Sequence, residues 1–193
     1  TTTTTTTPST GTLWHAEPPS LEAASELSAT SLIGRLGIEF TEVGDDFLMA
    51  RMPVDDRTRQ PFGVLHGGAS VALAETLASW AATLTVDGDE ARCFGMEINA
   101  NHVRPVSSGW VTGRVSPVAL GRRTQVWEVR ITDDHGRLVC VSRCTMAVVR
   151  RGAWPPTPRA AEAVTVAIDE PDLRTEQGRQ VDVLHLVAEF DTT

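Results

Sequence analysis

The sequence of 193 residues has no lysine and no tyrosine, and its seventeen basic residues are all arginines. Acidic residues outnumber them, which gives a net charge of −8 and an isoelectric point near 5.1. A protein that binds nucleic acid along its surface needs a basic face, so we expect no nucleic-acid partner. Local groups of arginine could still bind a small polyanion.

Cysteine is also scarce. Cys93, Cys140 and Cys144 are odd in number and form no CxxC pair, which argues against a disulfide framework and favours free thiols in a reducing cytoplasm. The five histidines form no HxxxH motif, so we expect no metal site and no cofactor. Apolar runs are too short to span a bilayer, and the threonine-rich start lacks the features of a signal peptide. We therefore expect a cytoplasmic protein without a membrane partner.

Composition divides the chain into three parts. Residues 1–19 are rich in threonine and proline and are predicted to be a disordered tail. Residues 20–152 have the hydrophobic content and periodicity of a single domain. Residues 153–193 begin as a proline-rich linker and continue as an extension of unknown role. Its apolar stretch 181–190 could dock as a strand or a helix on this subunit or a sister subunit, or it could be a partner-binding tail.

Periodicity predicts the elements of the middle part. Ser20 is a suitable helix N-cap, and leucines at helical spacing predict one short helix or two, ending near Gly34 or Gly37. A long helix is predicted over 67–86. Six strands are predicted, over 38–43, 47–53, 93–104, 110–120, 124–132 and 137–149. The economical packing of this order is an α+β fold, in which a curved antiparallel sheet of five to six strands wraps around the long helix.

The stretch QPFGVLHGGASVALAET, residues 60–76, opens the long helix and carries the candidate chemistry. Gly67 and Gly68 leave the first backbone N–H groups of the helix uncovered, and such a helix end can bind an anion or an oxyanion. His66 directly precedes this end. The alternative is that the glycines only allow a tight entry and that His66 is a surface cap.

Glu75 lies among small and apolar residues of the same helix, with Ser79 one turn further on. Its carboxylate faces the sheet, a partner or a pocket, or else belongs to a solvated polar stripe. The helix rise separates Glu75 from His66 by roughly 13 Å, on opposite sides of the helix. If both act on one reacting group, a second subunit must complete the site, as two helices packed antiparallel about a two-fold axis would do. On that condition the spacing predicts a homodimer.

Three segments, QPFGVLHGGASVALAETLAS, FGMEINANHVRP and LGRRTQVWEVRITDDHGRLVCVSRCTMAVV, together resemble the hotdog-fold acyl-CoA thioesterases of the PaaI-like group. They are most similar to the branch of the Arthrobacter-type 4-hydroxybenzoyl-CoA thioesterase and the 1,4-dihydroxy-2-naphthoyl-CoA hydrolases. The resemblance covers residues 31–149. It implies hydrolysis of an acyl-CoA, an aryl-CoA by the branch, with coenzyme A as part of the substrate. It also implies a homodimer that shares its sites across the interface and pairs into a homotetramer.

By this resemblance, Glu75 matches the catalytic carboxylate, which either attacks the thioester or activates water. Gly67 matches the residue whose N–H polarises the thioester carbonyl. Gln60 and His66 match polar groups near that carbonyl, and Ser79 matches a positioning hydroxyl. For each remaining candidate the alternative is an ordinary strand-end arginine or a satisfied interior histidine. The residues matched to substrate and CoA binding are His102, Arg104, Arg122, Arg123 and Thr124.

Two other functions are alternatives to the thioesterase interpretation. A non-catalytic acyl-CoA-binding module on the same fold would keep Gly67 and the arginines, but it would not need a carboxylate at Glu75. A hotdog dehydratase or hydratase needs a differently placed pair of histidine and carboxylate, which the sequence does not contain. The sequence therefore favours the thioesterase.

Overall fold

The computed structural model describes residues 11–150 and residue 152. The helices of this part are α1 (Leu21–Ser28), α2 (Leu32–Leu36) and α3 (Gly67–Leu84). The strands are β1 (Glu39–Val43), β2 (Leu48–Pro53), β3 (Ala91–His102), β4 (Trp110–Leu120), β5 (Thr124–Asp133) and β6 (Leu138–Arg150). The predicted order of short helices, two strands, long helix and four strands is confirmed.

Local sequence signals explain where the short helices begin and end. The Ser20 hydroxyl accepts a hydrogen bond from the Ala23 N–H at 3.2 Å and caps α1. Gly37 ends α2 in the left-handed conformation, with φ 67°, which glycine adopts without a side-chain clash. These signals give two separate helices where the sequence allowed one or two.

The six strands form one antiparallel sheet in the order β1-β2-β4-β5-β6-β3. The sheet wraps around α3, which contacts every strand from β2 to β6. Alternate residues of β5 are buried, so this strand has one covered face, as its period-two pattern predicts. The predicted α+β hotdog architecture is confirmed. Among the helices of the described residues, none combines the length and hydropathy of a membrane-spanning segment.

The sheet approaches α3 closely because small residues line both sides of the contact. Ala74, Ala78 and Ala81 of the helix are fully buried. On the opposite side, a Cβ atom at Gly113 of β4 would lie only 2.6 Å from the Leu77 Cδ1 atom. Because protein interiors are close-packed, this glycine and the alanines set the depth of the groove that the sheet forms around the helix.

A chain of polar side chains fixes the C-terminal end of α3 against the sheet. The Gln125 Nε2 donates to the Thr85 Oγ1 at 2.8 Å, and the Trp127 Nε1 donates to the Gln125 Oε1 at 3.0 Å. Gln125 is buried, so these two bonds offset the cost of removing its amide from water. The position of α3 along its axis is thereby defined relative to β5.

Residues 11–19 fall within the predicted disordered tail, and here the structure differs from the prediction. Trp14 is only 3% exposed, and its Nε1–H donates to the Gly44 carbonyl oxygen at 2.6 Å. The His15 N–H donates to the Leu84 carbonyl oxygen at 2.8 Å. A single tryptophan in a low-complexity stretch produces no periodicity, so the sequence alone does not reveal what it packs against.

The other predicted parts of the chain lie mostly outside the described residues. These are residues 1–10, the linker and extension 153–193, and the apolar stretch 181–190 within it. The proposed division near residue 152 therefore stays a prediction.

Candidate active site

The loop that leads into α3 is held by backbone hydrogen bonds. The His66 N–H donates to the Thr58 carbonyl oxygen at 2.8 Å, and the Gln60 N–H donates to the Val64 carbonyl oxygen at 2.9 Å. Thr58 is buried and its hydroxyl donates to the Pro53 carbonyl oxygen at 2.7 Å, which ties the loop to the end of β2. This small hairpin places Gln60 on the segment that runs beside the start of the helix.

His66 caps α3 with its ring. The Nδ1 atom accepts a hydrogen bond from the Gly68 N–H at 2.9 Å. In the neutral imidazole the proton must then be on Nε2, because only one ring nitrogen carries it. The exposed His66 ring therefore offers an N–H donor beside the helix start.

The Gly67 N–H is the open donor of this helix end. Within the described part of the chain it has no hydrogen-bond acceptor, while the Gly68 N–H is used by His66. The first N–H groups of any helix lack an acceptor in a preceding turn, and the helix dipole adds partial positive charge there. Gly67 and His66 thus form a positive pole with two N–H donors.

His102, the last residue of β3, lies against this pole. A Cβ atom at Gly67 would be 2.9 Å from the His102 Nε2 atom, so the absence of a side chain at residue 67 gives His102 its place. The sequence matched both residues to the site, and the structure brings them together. His102 is exposed on the surface of the described chain.

Glu75 lies two turns further along α3 and is half-buried. Within the described residues its carboxylate accepts no hydrogen bond and pairs with no cation, which is unusual for a partly desolvated charge. Its Oε1 atom lies against Gly95 of β3. Ser79 follows one turn later on the same side of the helix, as the sequence predicts.

Strand β3 runs beside α3 and contacts both the pole at Gly67 and the Glu75 carboxylate, at two different positions along its length. His102 of this strand contacts the pole at Gly67, whereas Gly95 of the same strand contacts Glu75. Eight residues of helix separate Gly67 from Glu75, or roughly 12 Å. One subunit therefore holds the pole and the carboxylate apart, as the helix rise predicts.

The predicted CoA-binding residues lie in separate parts of the chain. Arg104 follows His102, and its N–H donates to the Val139 carbonyl oxygen at 3.3 Å, at the start of β6. Thr124 instead pairs with Ala147, near the end of β6. Arg122 and Arg123 directly precede Thr124. Within one chain, Arg104 therefore lies at the end of β3 that meets the pole. Thr124 lies level with Phe94 of β3 on the far side of β6, and Arg122 lines a cavity with Thr85 and Asp87 at the C-terminal end of α3.

A cavity of about 430 Å³ lies next to the turn between β4 and β5. Arg122 lines it, together with Arg150 from β6 and Leu13 and His15 from the N-terminal segment. The sequence analysis assigned no role to His15 or Arg150, because nothing in their local sequence links either to Arg122. Asp87 and Glu90 also line the cavity, so its charge is mixed.

The three cysteines have little nucleophilic character. Burial raises the pKa of the Cys93 thiol to about 11. Burial, with smaller contributions from the negative charges of Glu75 and Glu97, raises the pKa of the Cys144 thiol to about 12. Burial also raises the pKa of Cys140. Because the thiolate is the reactive form, these side chains behave as protonated core residues at neutral pH.

Sequence reasoning missed Gly95, which contacts the central carboxylate. The available signal was a glycine inside a predicted strand, a pattern that indicates a bulge or a close approach. The structure has both, since the register of β3 and β6 shifts between Gly95 and Glu97. Which side chain approaches Gly95 could not be read from the strand alone.

Comparison with known proteins identifies the family of this fold and site. Residues 62–140 match the model of the thioesterase superfamily. The 1,4-dihydroxy-2-naphthoyl-CoA hydrolase of Escherichia coli is 50% identical over 129 residues, which are 67% of this chain and 94% of that protein. The solved structure of a thioesterase mutant from Pseudomonas aeruginosa is 47% identical, with a TM-score of 0.70, over 72% of this chain and 99% of that one.

A thioesterase from Staphylococcus aureus was also solved, and it is 35% identical with a TM-score of 0.60, over 61% of this chain and 98% of that one. Two of its solved variants replace a glutamine and a glutamate by alanine, and these positions are fifteen residues apart in that protein. With this fold and this degree of identity, the chain belongs to the thioesterase superfamily and is a hotdog-fold thioester hydrolase.

Proposed function

We propose that this protein hydrolyses an aryl-CoA thioester to the free acid and coenzyme A, at sites that two subunits share. The observation that carries the proposal is the half-buried Glu75 carboxylate, which has no partner within the described chain and lies roughly 12 Å from the N–H donors of Gly67 and His66. Each group is suited to thioester chemistry, but one subunit cannot apply both to the same bond.

The free edge of the sheet supports a dimer. β3 is the last strand of the sheet, so its outer edge pairs with no other strand of the described chain. It is twelve residues long and exposes Met96 at 65%, and Val103, which directly follows the strand, is 57% exposed. A long, exposed edge is a template for pairing with another strand. A second copy of β3 satisfies this edge in an isologous dimer.

The contacts of β3 define the register that such a dimer needs. If two β3 strands pair antiparallel about a two-fold axis near Ile98 and Asn99, Gly95 of one subunit lies opposite His102 of the partner subunit. Gly95 contacts Glu75, and His102 contacts Gly67. This register brings the carboxylate of one subunit to the pole of the other. It also brings Arg104 of the partner subunit to the part of β3 that lies level with Thr124 across β6.

The chemistry follows from the groups at this composite site. The Gly67 N–H and the Nε2–H of His66 donate to the thioester carbonyl oxygen and stabilise the negative charge that develops on it. Glu75 takes a proton from water, whose oxygen forms the new bond to the carbonyl carbon. The tetrahedral intermediate collapses with cleavage of the C–S bond, and the CoA sulfur leaves with the electron pair and is protonated. Direct attack by the carboxylate is the alternative, through an anhydride that water then hydrolyses.

Gln60 and Ser79 have positioning roles in this proposal. Gln60 lies on the loop beside the pole and orients the carbonyl group, while Ser79 lies one turn from Glu75 and orients water or the acyl ring. The two mutated positions of the Staphylococcus aureus thioesterase support this pairing, because Gln60 and Glu75 are also a glutamine and a glutamate fifteen residues apart. The aryl group is proposed from the similarity to the 1,4-dihydroxy-2-naphthoyl-CoA hydrolase.

The test is thiol release from a panel of aryl- and alkyl-CoA thioesters by the wild type and by Glu75→Ala and Glu75→Gln. We expect kcat to fall by about 10²–10⁴-fold in both variants, since each removes the general base. Glu26→Gln, an exposed glutamate of α1, is the matched control and should keep full activity. Unchanged rates in the two Glu75 variants would remove this residue from the mechanism.

The same panel distinguishes the competing functions. Ranking kcat/KM separates an aryl pocket from an alkyl pocket. Tight CoA binding with no thiol release from any thioester would instead support a non-catalytic acyl-CoA-binding module. A cytoplasmic location and a homotetramer stay predictions from the sequence.

A further inference from the structure

Gly95 occupies a position where a strand would ordinarily carry a side chain. It lies inside β3, pairs with Met146 of β6 and has no left-handed backbone angle that would require glycine. Glycine weakens strands, because it packs nothing and loses more backbone entropy on folding than other residues. A glycine at this position therefore indicates that something approaches the backbone closely.

The group that approaches is the Glu75 carboxylate. A Cβ atom built on Gly95 would lie 2.4 Å from Glu75 Oε1, and 3.4 Å from the carboxyl carbon. The first separation is shorter than any real contact of such atoms, so even a methyl group would displace the carboxylate. Gly88 differs in this respect, because a Cβ atom there would have no neighbour within 4 Å.

We propose that Gly95 is a positioning residue for the hydrolysis. Its missing side chain lets the Glu75 carboxylate lie against the backbone of β3, at the strand edge where the partner subunit supplies the pole. This inference rests on the proposed function of Glu75. It adds that the strand, and not only the helix, determines where the carboxylate oxygen is held. The register of β3 and β6 shifts between Gly95 and Glu97, at the same place in the strand, and such a bulge bends a strand locally.

The kinetic test compares Gly95→Ala with Gly88→Ala in the full chain, on whichever CoA thioester the wild type hydrolyses fastest. A displacement of about 1 Å in a catalytic group can cost about 100-fold. We therefore expect Gly95→Ala to lower kcat by about 100-fold while KM changes by less than about threefold, because substrate binding is made by other groups. Gly88→Ala should retain wild-type kcat. A Gly95→Ala enzyme with wild-type kcat would overturn the proposal.

A shorter carboxylate provides the second test. Glu75→Asp withdraws the carboxyl group from β3 by one methylene, so the added methyl group of Gly95→Ala no longer meets it. In the Glu75→Asp background we expect Gly95→Ala to lower kcat by less than about threefold. A loss as large as in the wild-type background would show that Gly95 acts independently of the carboxylate and would overturn the proposal.

Thermal unfolding keeps the proposal testable if Gly95→Ala folds poorly. Alanine in place of a strand glycine without special backbone angles is expected to stabilise once the clash is gone. In the Glu75→Ala background, Gly95→Ala should therefore raise Tm by more than it does in the wild-type background, where the methyl group must displace the carboxylate. An equal change of Tm in both backgrounds would contradict the proposal. The role of Glu75 is judged separately, from thiol release by Glu75→Ala alone.

Discussion

At the scale of single residues, the site depends on glycines, because they carry no side chain. Residue 67 has no side chain, which leaves its N–H open and gives the His102 ring its place. The ring of His66 accepts from the Gly68 N–H and directs its own Nε2–H outward. The sequence indicated the pole, since two glycines at a helix start leave N–H groups uncovered, but it also allowed a tight entry capped by His66. The contact with His102 was not predictable, because it depends on where a distant strand ends.

A proline at residue 67 tests the N–H donor of the pole directly. Gly67→Pro removes the N–H at the first helical position, where proline is well tolerated, and His66 already has the extended backbone that precedes a proline, with ψ 133°. We expect kcat to fall by about 10²–10³-fold, the usual cost of losing one oxyanion donor. Gly67→Ala is the control for crowding of His102, since it adds the Cβ atom but keeps the N–H. Equal kcat in the two variants would argue against an oxyanion role for this amide.

The raised pKa values of the cysteines give a prediction for the reactivity of their thiols. The pKa values of Cys93 and Cys144, raised to about 11 and about 12, keep both thiols protonated through pH 8. We expect the folded protein to react with iodoacetamide at less than about a hundredth of the rate of the urea-unfolded chain at pH 8. Mass spectrometry of the alkylated peptides measures this. Rapid labelling of Cys144 in the folded protein would contradict its burial.

At the scale of elements, the sequence predicts best where periodicity is strong. β4 has the predicted bounds, and α3 begins at the predicted residue and ends at Leu84, two residues earlier than expected. Periodicity specifies which face of an element is buried but not which distant residue it meets. For that reason the contact of Gly95 with Glu75 and the docking of Trp14 both required the structure.

The N-terminal segment gives a test at this scale. Trp14 is 3% exposed, whereas Phe62, on the loop before α3, is 88% exposed. We expect Trp14→Ala to lower the free energy of unfolding by about 3 kcal/mol, because it removes a buried aromatic side chain and leaves a cavity. Phe62→Ala should change it by less than about 0.5 kcal/mol. Urea denaturation measures both. A small effect of Trp14→Ala would show that the segment contributes little to the stability of the domain.

At the scale of the whole molecule, the single chain lacks a complete site. Its pole lies at the start of α3 and its carboxylate in the middle of that helix, and its candidate arginines are also spread over separate parts of the chain. The free edge of β3 carries the contacts to both groups. We therefore expect the active species to contain at least two copies of the 20.8 kDa chain.

Light scattering coupled to size-exclusion chromatography measures that mass. We expect a dimer or a tetramer at the concentrations used for assay, with activity falling wherever dilution produces monomer. A monomer with full specific activity would contradict a site shared between subunits. It would require Glu75 to act without the pole of Gly67.

Complementation between two inactive variants tests the shared site most directly. Glu75→Ala and Gly67→Pro chains with different affinity tags are co-expressed, and the mixed dimer is purified through both tags. If each site joins Glu75 of one subunit with Gly67 of its partner, the mixed dimer contains one intact site and one doubly defective site. We predict about half of the wild-type kcat per dimer, from two parents that are each nearly inactive. A mixed dimer no more active than its parents would contradict the account.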